Sequence, residues 1–468
     1  MFFGVAFTQV YPADFWWHLR YGELILETGS IPATDPFTFT AQGMPYLYGY
    51  WLCAVLFAAV HQLAGIAGIV LLNALLFTGG FGLLLAACRT AAAGNLRAAA
   101  AGTLLAFAVS VENWTVRPQS LSVVCFAATW LLLVRYATGR GRARSLLGLP
   151  LVMLVWANVH GAFFLGLLLP AAVAMALAVQ ARRAIAAVNA PPPRWPLAAA
   201  TGASLATAAF LTPFGVDRIT SVLALAGNAS VRAYALEWGP PSLDVLPGRV
   251  FAVAIAATLA SLLGAHQRPP LWLVTSTVLI CALGLLSLRG IVWAGMLLGT
   301  ASAWALQESM AAGEARPAGP AARLGLCAAL VAVGLLALPW WRSVLPLPPN
   351  QRLLMPADTP LQAADLLAAA HPQRVFADMQ YASLLDWRLP SRNQVFIDPR
   401  FELFAPGLWE RYGTISDGSA PGLLADYGVD AVLAHHERQA GLQAWLATRP
   451  DWQIAYRDDY SSVWIHTR

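Results

Sequence analysis

Long apolar runs separated by short polar connections fill most of the chain, a pattern that predicts a bundle of hydrophobic helices. An upright helix needs about 20 apolar residues to cross a membrane, and several of these runs approach that length. We expect spans at about 66–88, 98–112, 119–135, 145–160, 162–181, 196–212, 250–266, 271–288, 290–306 and 323–341. The opening run, MFFGVAFTQV, has about half the length of a span, so it is either a short first span or the end of a longer one.

The pattern changes near residue 342, where short β-like runs replace the long apolar ones. These runs are RVFADM, NQVFID, DAVLAHH, WQIAYRD and SSVWIHT. Residues 342–468 also contain 14 of the 24 acidic residues. We therefore expect a mostly α, polytopic helical membrane protein with about 10–11 spans in residues 1–341, followed by a small C-terminal α/β domain.

Composition supports the membrane class and excludes several alternatives. The chain is 58% hydrophobic and 11% charged, with a mean hydropathy of +0.59, which is too apolar for an ordinary soluble enzyme. All 29 basic residues are arginine, which we attribute to genome bias, so the basic pI does not indicate nucleic-acid binding. The five cysteines lie in apolar runs without metal-ligand spacing, so neither a zinc site nor a disulfide framework is indicated.

The distribution of arginine predicts the orientation in the membrane. Three connections carry nine arginines and no acidic residue: 88–97, 135–145 and 180–194. By the positive-inside rule they face the cytoplasm. Residues 48–65 are apolar enough to span, but one more crossing would invert these connections, so we interpret that segment as a helix at the outer interface. The outer side then receives residues 12–65, the long loop 213–249 and the C-terminal domain.

One stretch concentrates charge beside tryptophans, YPADFWWHLRYGELILETG at residues 11–29. Projected as a helix, Asp14 and His18 lie one turn apart on an aromatic face, whereas Arg20 and Glu23 lie opposite on a solvated rim. Asp14 then has two interpretations. It either caps the helix, while the two tryptophans form an interfacial belt, or it performs chemistry.

Residues 13–52, ADFWWHLRYGELILETGSIPATDPFTFTAQGMPYLYGYWL, resemble the first outer loop of GT-C superfamily glycosyltransferases. The resemblance is closest to a bacterial group with a D-x-W-W-H-L…DPFSFT pattern. Further matching motifs are TVRPQSLS, WANVHGAFFLG, LTPFG, LEWGPP and VFIDPR, so the resemblance covers nearly the whole chain.

The resemblance implies an enzyme that uses a lipid-linked sugar, usually a polyprenyl phosphate sugar, at the outer membrane face. Superfamily members place a first-loop aspartate at the catalytic centre, and that residue corresponds to Asp14 here. Their second outer loop often adds an acid, for which Glu112 is the candidate. No DxD-like pair is present, which leaves the cofactor unknown, with a divalent metal ion as one alternative.

Glycosyl transfer from a phosphate-linked donor needs a base for the acceptor hydroxyl and cations for the departing phosphate. Asp14 suits the first role. Arg117, His160 and Arg289 lie at predicted outer ends of different spans and suit the second. The alternative is that the arginines extend along the membrane surface as ordinary span ends.

Four more residues complete the predicted substrate-binding set: His18, Asp35, Asn158 and Glu237. Each has a structural alternative or a positional argument. Asn158 and His160 could form an interhelical hydrogen-bond pair, and Asp35, which precedes a proline, could form a turn. Glu237 lies in the loop that the resemblance places over the site, whereas we interpret Asp398 and Arg400 as a structural turn pair.

The predicted function is transfer of a sugar from a polyprenyl-phosphate donor to a glycan, lipid or protein acceptor at the outer face of the cytoplasmic (inner) membrane. One alternative is ligase-type transfer of a pyrophosphate-linked glycan. Another is a non-catalytic subunit or a flippase for lipid-linked glycans. Apart from Glu112 at the end of the predicted span 98–112, the spans contain no acidic residue, which argues against an ion pump or a secondary transporter.

The topology predicts that Gly141→Cys and Ala420→Cys, each in a chain without other cysteines, react with a membrane-impermeant thiol reagent from opposite sides of the membrane. Only Ala420→Cys should react in intact cells, and both should react in permeabilised cells. Reaction of both in intact cells would contradict the orientation.

Overall fold

The computed structural model describes residues 1–183, 191–310, 319–389, 391 and 393–467. Residues 184–190, in the third arginine-rich connection, lie outside this part. The helices up to residue 341 are α1 (Phe2–Ala6), α2 (Phe15–Thr28), α3 (Trp51–Ala91), α4 (Leu96–Val109), α5 (Gln119–Ala137), α6 (Gly148–Val159), α7 (Leu165–Arg183), α8 (Trp195–Phe210), α9 (Asp217–Gly227), α10 (Ala229–Tyr234), α11 (Leu246–Leu263), α12 (Leu271–Leu286), α13 (Ile291–Ala305) and α14 (Pro320–Leu336). The later elements are α15 (Pro349–Arg352), α16 (Leu361–Ala370), β1 (Val375–Ala377), α17 (Met379–Arg388), α18 (Pro406–Ser416), α19 (Leu423–Asp426), β2 (Ala431–His435), α20 (Ala440–Leu446), β3 (Trp452–Arg457) and β4 (Ser461–His466).

Each predicted span overlaps a helix of the structure. Within the part of the chain that the structure describes, four helical segments are long and apolar enough to cross a membrane: Trp51–Ala91, Gln119–Ala137, Gly161–Arg182 and Leu246–Leu263. Helices α4, α12 and α14 are apolar but shorter. Gly65 interrupts α3 with a positive φ of 60°, at the boundary predicted between the interfacial segment and the first long span. The interfacial placement of residues 48–65 stays a prediction.

The chain folds into two compact units. The helical unit comprises Met1–Thr8, Val70–Thr220 and Leu236–Trp341, and the mixed unit comprises Gln9–Ile69, Ser221–Ala235 and Arg342–Arg468. The predicted start of the C-terminal domain thus falls on the boundary between Trp341 and Arg342. The mixed unit also includes most of the predicted first outer loop, which the sequence assigned to the transmembrane domain.

Helix α13 lies at the centre of the helical unit, and every one of its residues is buried. It packs closely against α4 where Gly102 faces Gly299. A Cβ added at Gly102 would lie 2.1 Å from the carbonyl oxygen of Gly299, and a Cβ added at Gly299 would lie 2.3 Å from that of Gly102. Small residues that let two backbones approach are typical of helix packing in membranes. This contact fixes the start of α13, which directly follows Arg289.

The mixed unit contains a four-stranded sheet in the order β1-β2-β4-β3. Strands β1 and β2 are parallel, whereas β4 pairs antiparallel with both β2 and β3. Four of the five predicted β-like runs form these strands. The fifth, NQVFID, pairs only at Val395, whose neighbours are Val375 on one side and Thr38 on the other. The predicted first outer loop therefore extends the sheet of the C-terminal segment.

Arg400 is the buried centre of this contact. Its guanidinium pairs with Asp398 and lies 2.6 Å from an Asp35 carboxylate oxygen, and all three side chains have no exposed surface. The rings of Phe37 and Tyr46 have their centroids 5.2 Å and 5.1 Å from its Cζ. Removing one partner of a buried ion pair typically costs about 3–5 kcal/mol. The pairing of Arg400 with Asp35 therefore holds together two segments that are far apart in sequence. The interpretation of Asp398 and Arg400 as a structural pair agrees with this arrangement.

A further carboxyl group, that of Asp386, lies in the same buried environment. Its side chain is 5% exposed, and neither of its oxygens accepts a hydrogen bond from the described residues. Burial, followed by the charge of Asp398, raises the pKa of Asp386 well above its ordinary value of 3.8. Asp386 is therefore protonated in a range where an exposed aspartate is ionised.

Asp386→Asn should make thermal stability less dependent on pH. In the wild type the folded state holds a proton that the unfolded chain releases above its ordinary pKa of 3.8, so stability falls as pH rises toward the raised pKa, by up to about 1.4 kcal/mol per pH unit. Asparagine imitates the neutral carboxyl and removes this term. We expect the unfolding midpoint between about pH 5 and pH 8 to fall more in the wild type than in the variant.

The control for this experiment is Asp426→Asn, which changes an exposed aspartate of the same unit. It should leave the pH dependence of the wild type unchanged. Equal pH dependence in the wild type and Asp386→Asn would show that Asp386 does not hold the proton.

Candidate functional site

Three of the predicted site residues meet in the helical unit. An Arg117 guanidinium nitrogen donates to one carboxylate oxygen of Glu237 at 2.5 Å, and Arg289 donates to the other oxygen. The side chains of Arg117, Glu237 and Arg289 are 27%, 31% and 32% exposed, so the cluster is accessible from the surface of the protein. The arginines are thus a joined pair around one carboxylate, rather than isolated span ends.

Short turns next to buried helices hold each member of this cluster. Arg117 lies two residues before α5, and Arg289 lies in the 3-10 turn Leu288–Gly290, directly before α13. Glu237 lies in the 3-10 turn Leu236–Trp238. Two hydrogen bonds join the turns: Leu288 N–H donates to the Gly239 carbonyl at 2.9 Å, and the Ser287 hydroxyl donates to the Glu237 carbonyl at 3.2 Å.

The two arginines keep Glu237 ionised. Burial alone would raise its pKa, but Arg289 and then Arg117 oppose this effect and lower the pKa to about 2. The cluster therefore contains two positive charges and one negative charge. Its net charge of +1 favours binding of an anion.

His160 belongs to the same unit but is a neutral group. Its Nδ1 accepts from the Ala162 N–H at 3.2 Å and lies 2.9 Å from the Ser122 hydroxyl, which also accepts from Trp156. The sequence analysis grouped His160 with the two arginines that bind the departing phosphate, and this role stays a prediction. With Nδ1 as acceptor, His160 can offer only a neutral Nε2–H donor.

Arg218 is a site candidate that the sequence analysis missed. It is 3% exposed, its Nε donates to the Ala157 carbonyl at 2.8 Å, and its Cζ lies 5.1 Å from the ring centroid of Phe163. It lies in the same unit as His160 and carries a permanent positive charge. The sequence feature that could have identified Arg218 is its position three residues after LTPFG, a motif that the sequence analysis used only for the resemblance.

Asn158 and Glu112 differ in their surroundings. The Asn158 amide donates to the Leu154 carbonyl at 2.8 Å, one helical turn back, and is 5% exposed. Glu112 is exposed in the 3-10 turn Val111–Asn113, five residues before Arg117 in sequence. The roles predicted for both residues stay predictions.

Asp14 and His18 belong to the mixed unit. Asp14 occupies the N-cap position of α2, but its side chain accepts no capping hydrogen bond, so the capping interpretation is wrong. His18 is 4% exposed, and its Nδ1 lies 2.8 Å from the Tyr48 hydroxyl. The adjacent Trp16 and Trp17 are 1% and 6% exposed, so they pack inside this unit rather than forming an interfacial belt.

Asp35 is also in the mixed unit, where it has a structural role. Its carboxylate accepts from the backbone N–H groups of Phe37 and Thr38 at 3.2 Å and 2.9 Å, which forms the predicted turn, and it pairs with Arg400. With 2% exposure, this carboxylate serves the contact between the loop and the C-terminal segment. We therefore leave Asp35 out of the proposed site. In the described residues no group of three His, Cys, Asp or Glu side chains could hold a metal ion.

Solved structures of membrane proteins resemble the whole chain. ArnT from Cupriavidus metallidurans, bound to undecaprenyl phosphate, matches with a TM-score of 0.53 and 13% identity over 99% of this chain and 95% of that one. The oligosaccharyltransferase AglB from Archaeoglobus fulgidus, with an inhibitory peptide and dolichol-phosphate, matches with a TM-score of 0.52 and 14% identity over 98% and 71%. An oligosaccharyltransferase from Archaeoglobus fulgidus tethered to an acceptor peptide matches with a TM-score of 0.54 and 12% identity over 98% of this chain and 70% of that one.

The chain shares the fold of these membrane proteins. The prediction of a mostly α, polytopic protein with a small C-terminal sheet is therefore confirmed. Comparison of the sequence with protein-family models and with curated proteins finds no match. At 12–14% identity this likeness establishes the fold, and the roles of individual residues follow from their own surroundings.

Proposed function

We propose that this GT-C protein transfers a sugar from a polyprenyl-phosphate-linked donor to an acceptor at the outer face of the cytoplasmic membrane. The observation that carries the proposal is the pair of arginines, Arg117 and Arg289, held around one carboxylate in the helical unit. Arginine is the usual partner of phosphate in proteins because its planar donors match adjacent phosphate oxygens. Structures with the same fold contain dolichol-phosphate and undecaprenyl phosphate.

The reaction explains why the cluster should carry positive charge. An acceptor oxygen forms a bond to the anomeric carbon of the donor, and the bond from that carbon to the phosphate oxygen breaks. The leaving phosphate gains a negative charge, which Arg117 and Arg289 stabilise from turns that are fixed before the reaction. A neutral His160 would add a hydrogen bond, and Arg218 would add potential from a buried position.

The acceptor hydroxyl must lose a proton as its oxygen attacks, and we assign that proton to Asp14. This assignment follows the first-loop motif that carries the resemblance. The half-buried position of Asp14 is consistent with it. Glu112 is proposed as a second acid and His18 as a residue that contacts substrate.

The proposed setting is a multi-pass protein of the inner membrane with residues 342–468 outside the cytoplasm. The acceptor is a glycan, a lipid or a protein. The ligase-type alternative, in which the donor is a pyrophosphate-linked glycan, is kept because oligosaccharyltransferases are among the structures with a similar fold. Mass spectrometry of the lipid product separates the two reactions, because one releases a polyprenyl phosphate and the other a polyprenyl pyrophosphate.

Arg289→Gln should weaken binding of undecaprenyl phosphate to the purified full-length protein in nanodiscs. A charge-assisted hydrogen bond contributes about 1.5–3 kcal/mol, so the Kd should rise roughly 10- to 100-fold. Native mass spectrometry measures the Kd directly. The matched control is Arg249→Gln, which removes an exposed arginine from the first turn of α11. An equal loss in both variants would indicate nonspecific attraction and would contradict the site.

Asp14→Asn should abolish most transfer while preserving the fold. Loss of a general base usually slows a reaction by about 10²- to 10⁴-fold, and asparagine keeps the shape of the side chain. The assay incubates the protein with a panel of undecaprenyl phosphate sugars and cell-envelope acceptors and follows release of undecaprenyl phosphate. Glu27→Gln, an exposed change on the same helix, serves as the control. Normal turnover by Asp14→Asn with an unchanged unfolding midpoint would remove Asp14 from the mechanism.

A further inference from the structure

We propose that Glu237 occupies the place of the donor phosphate between Arg117 and Arg289, and that an incoming phosphate must displace it. The inference rests on the proposed function and adds a regulatory contact to the same site. Glu237 would then be an internal competitor for the lipid-linked substrate.

The geometry of the contact is the first argument. Each arginine donates to a different oxygen of the same carboxylate, so Glu237 bridges two guanidinium groups from separate turns. A phosphate presents the same feature, which is a pair of adjacent anionic oxygens. A group that only positioned one arginine would not need both of its oxygens in this way.

Charge is the second argument. Glu237 is ionised, because Arg289 and Arg117 outweigh the effect of its burial. A phosphate that entered beside an ionised carboxylate would meet repulsion at short range. If the carboxylate leaves, the two arginines offer two positive charges to the phosphate instead of a net charge of one. Exchange of one anion for the other is therefore favoured over binding of both.

The surroundings of Glu237 permit this exchange. Its side chain is 31% exposed, so it can turn toward solvent without burying an unpaired charge. Its backbone can stay in place, because the carbonyls of Glu237 and Gly239 accept hydrogen bonds from the turn of Arg289. Arg289 also keeps a contact when the carboxylate leaves, since its Cζ lies 5.7 Å from the ring centroid of Trp238.

The opposite role for Glu237 makes an opposite prediction. If the carboxylate positions the arginines for phosphate, its removal should loosen both side chains and weaken binding. If it competes with phosphate, its removal should strengthen binding. The sign of the change therefore decides between the two roles.

The test measures the Kd of undecaprenyl phosphate for the full-length protein in nanodiscs by native mass spectrometry. Glu237→Gln keeps the size of the side chain and removes its charge. Exposed ion pairs are weak, so the loss of two partly exposed pairs predicts a Kd lower by about three- to tenfold. Asp244→Asn, an exposed change in the same outer segment, is the control and should leave the Kd unchanged. Glu237→Ala provides a second variant with the same expected direction.

The outcomes separate this inference from the function on which it rests. Tighter binding by Glu237→Gln or Glu237→Ala, with weaker binding by Arg289→Gln, supports both. Unchanged or weaker binding by both Glu237 variants, with a loss in Arg289→Gln, overturns the competitor role and leaves the phosphate site intact. Binding that no variant alters, or no binding by any form of the protein, overturns the phosphate site and the competitor role together.

Discussion

A charge removed from water must be paired or neutralised, and both units of this protein are organised around that requirement. In the mixed unit, Arg400 satisfies it by pairing with Asp35 and Asp398, which come from opposite ends of the chain. Because neither segment can leave without exposing or orphaning a charge, the pairing makes the first outer loop and the C-terminal segment one structure. The backbone pairing of Val395 with Thr38 joins the same two segments.

The same requirement has two other solutions in this protein. Asp386 has no cation to itself, and burial keeps it protonated. Glu237 has two cations and stays ionised while partly exposed. A neutral acid contributes to packing without attracting a ligand, whereas a carboxylate held by two arginines marks a place where an anion is stable. Electrostatics thus distinguishes a structural acid from one that belongs to a binding site.

Hydrophobic patterning predicted the helices well, because apolar runs of near-span length have few other stable forms in a membrane. From the sequence, Arg117 and Arg289 could be predicted only to lie at the same depth in the membrane. Their pairing with Glu237 could not be predicted, because a sequence gives no distance between loops. Arg218 was missed because a buried arginine cannot be distinguished from a surface one by its neighbours in sequence. Asp35 was assigned to substrate because its partner, Arg400, lies more than 360 residues away.

The close approach of Gly102 and Gly299 also constrains how this sequence can change. The obstacle to a larger residue at either position is a backbone carbonyl of the other helix. No residue is smaller than glycine, so a larger residue at one position cannot be compensated by a smaller residue at the other, as it can in an ordinary core pair. A chain that lost either glycine could fold only by shifting α13 as a whole, and Arg289 would move with it. Two glycines that bind nothing therefore limit where the site can lie.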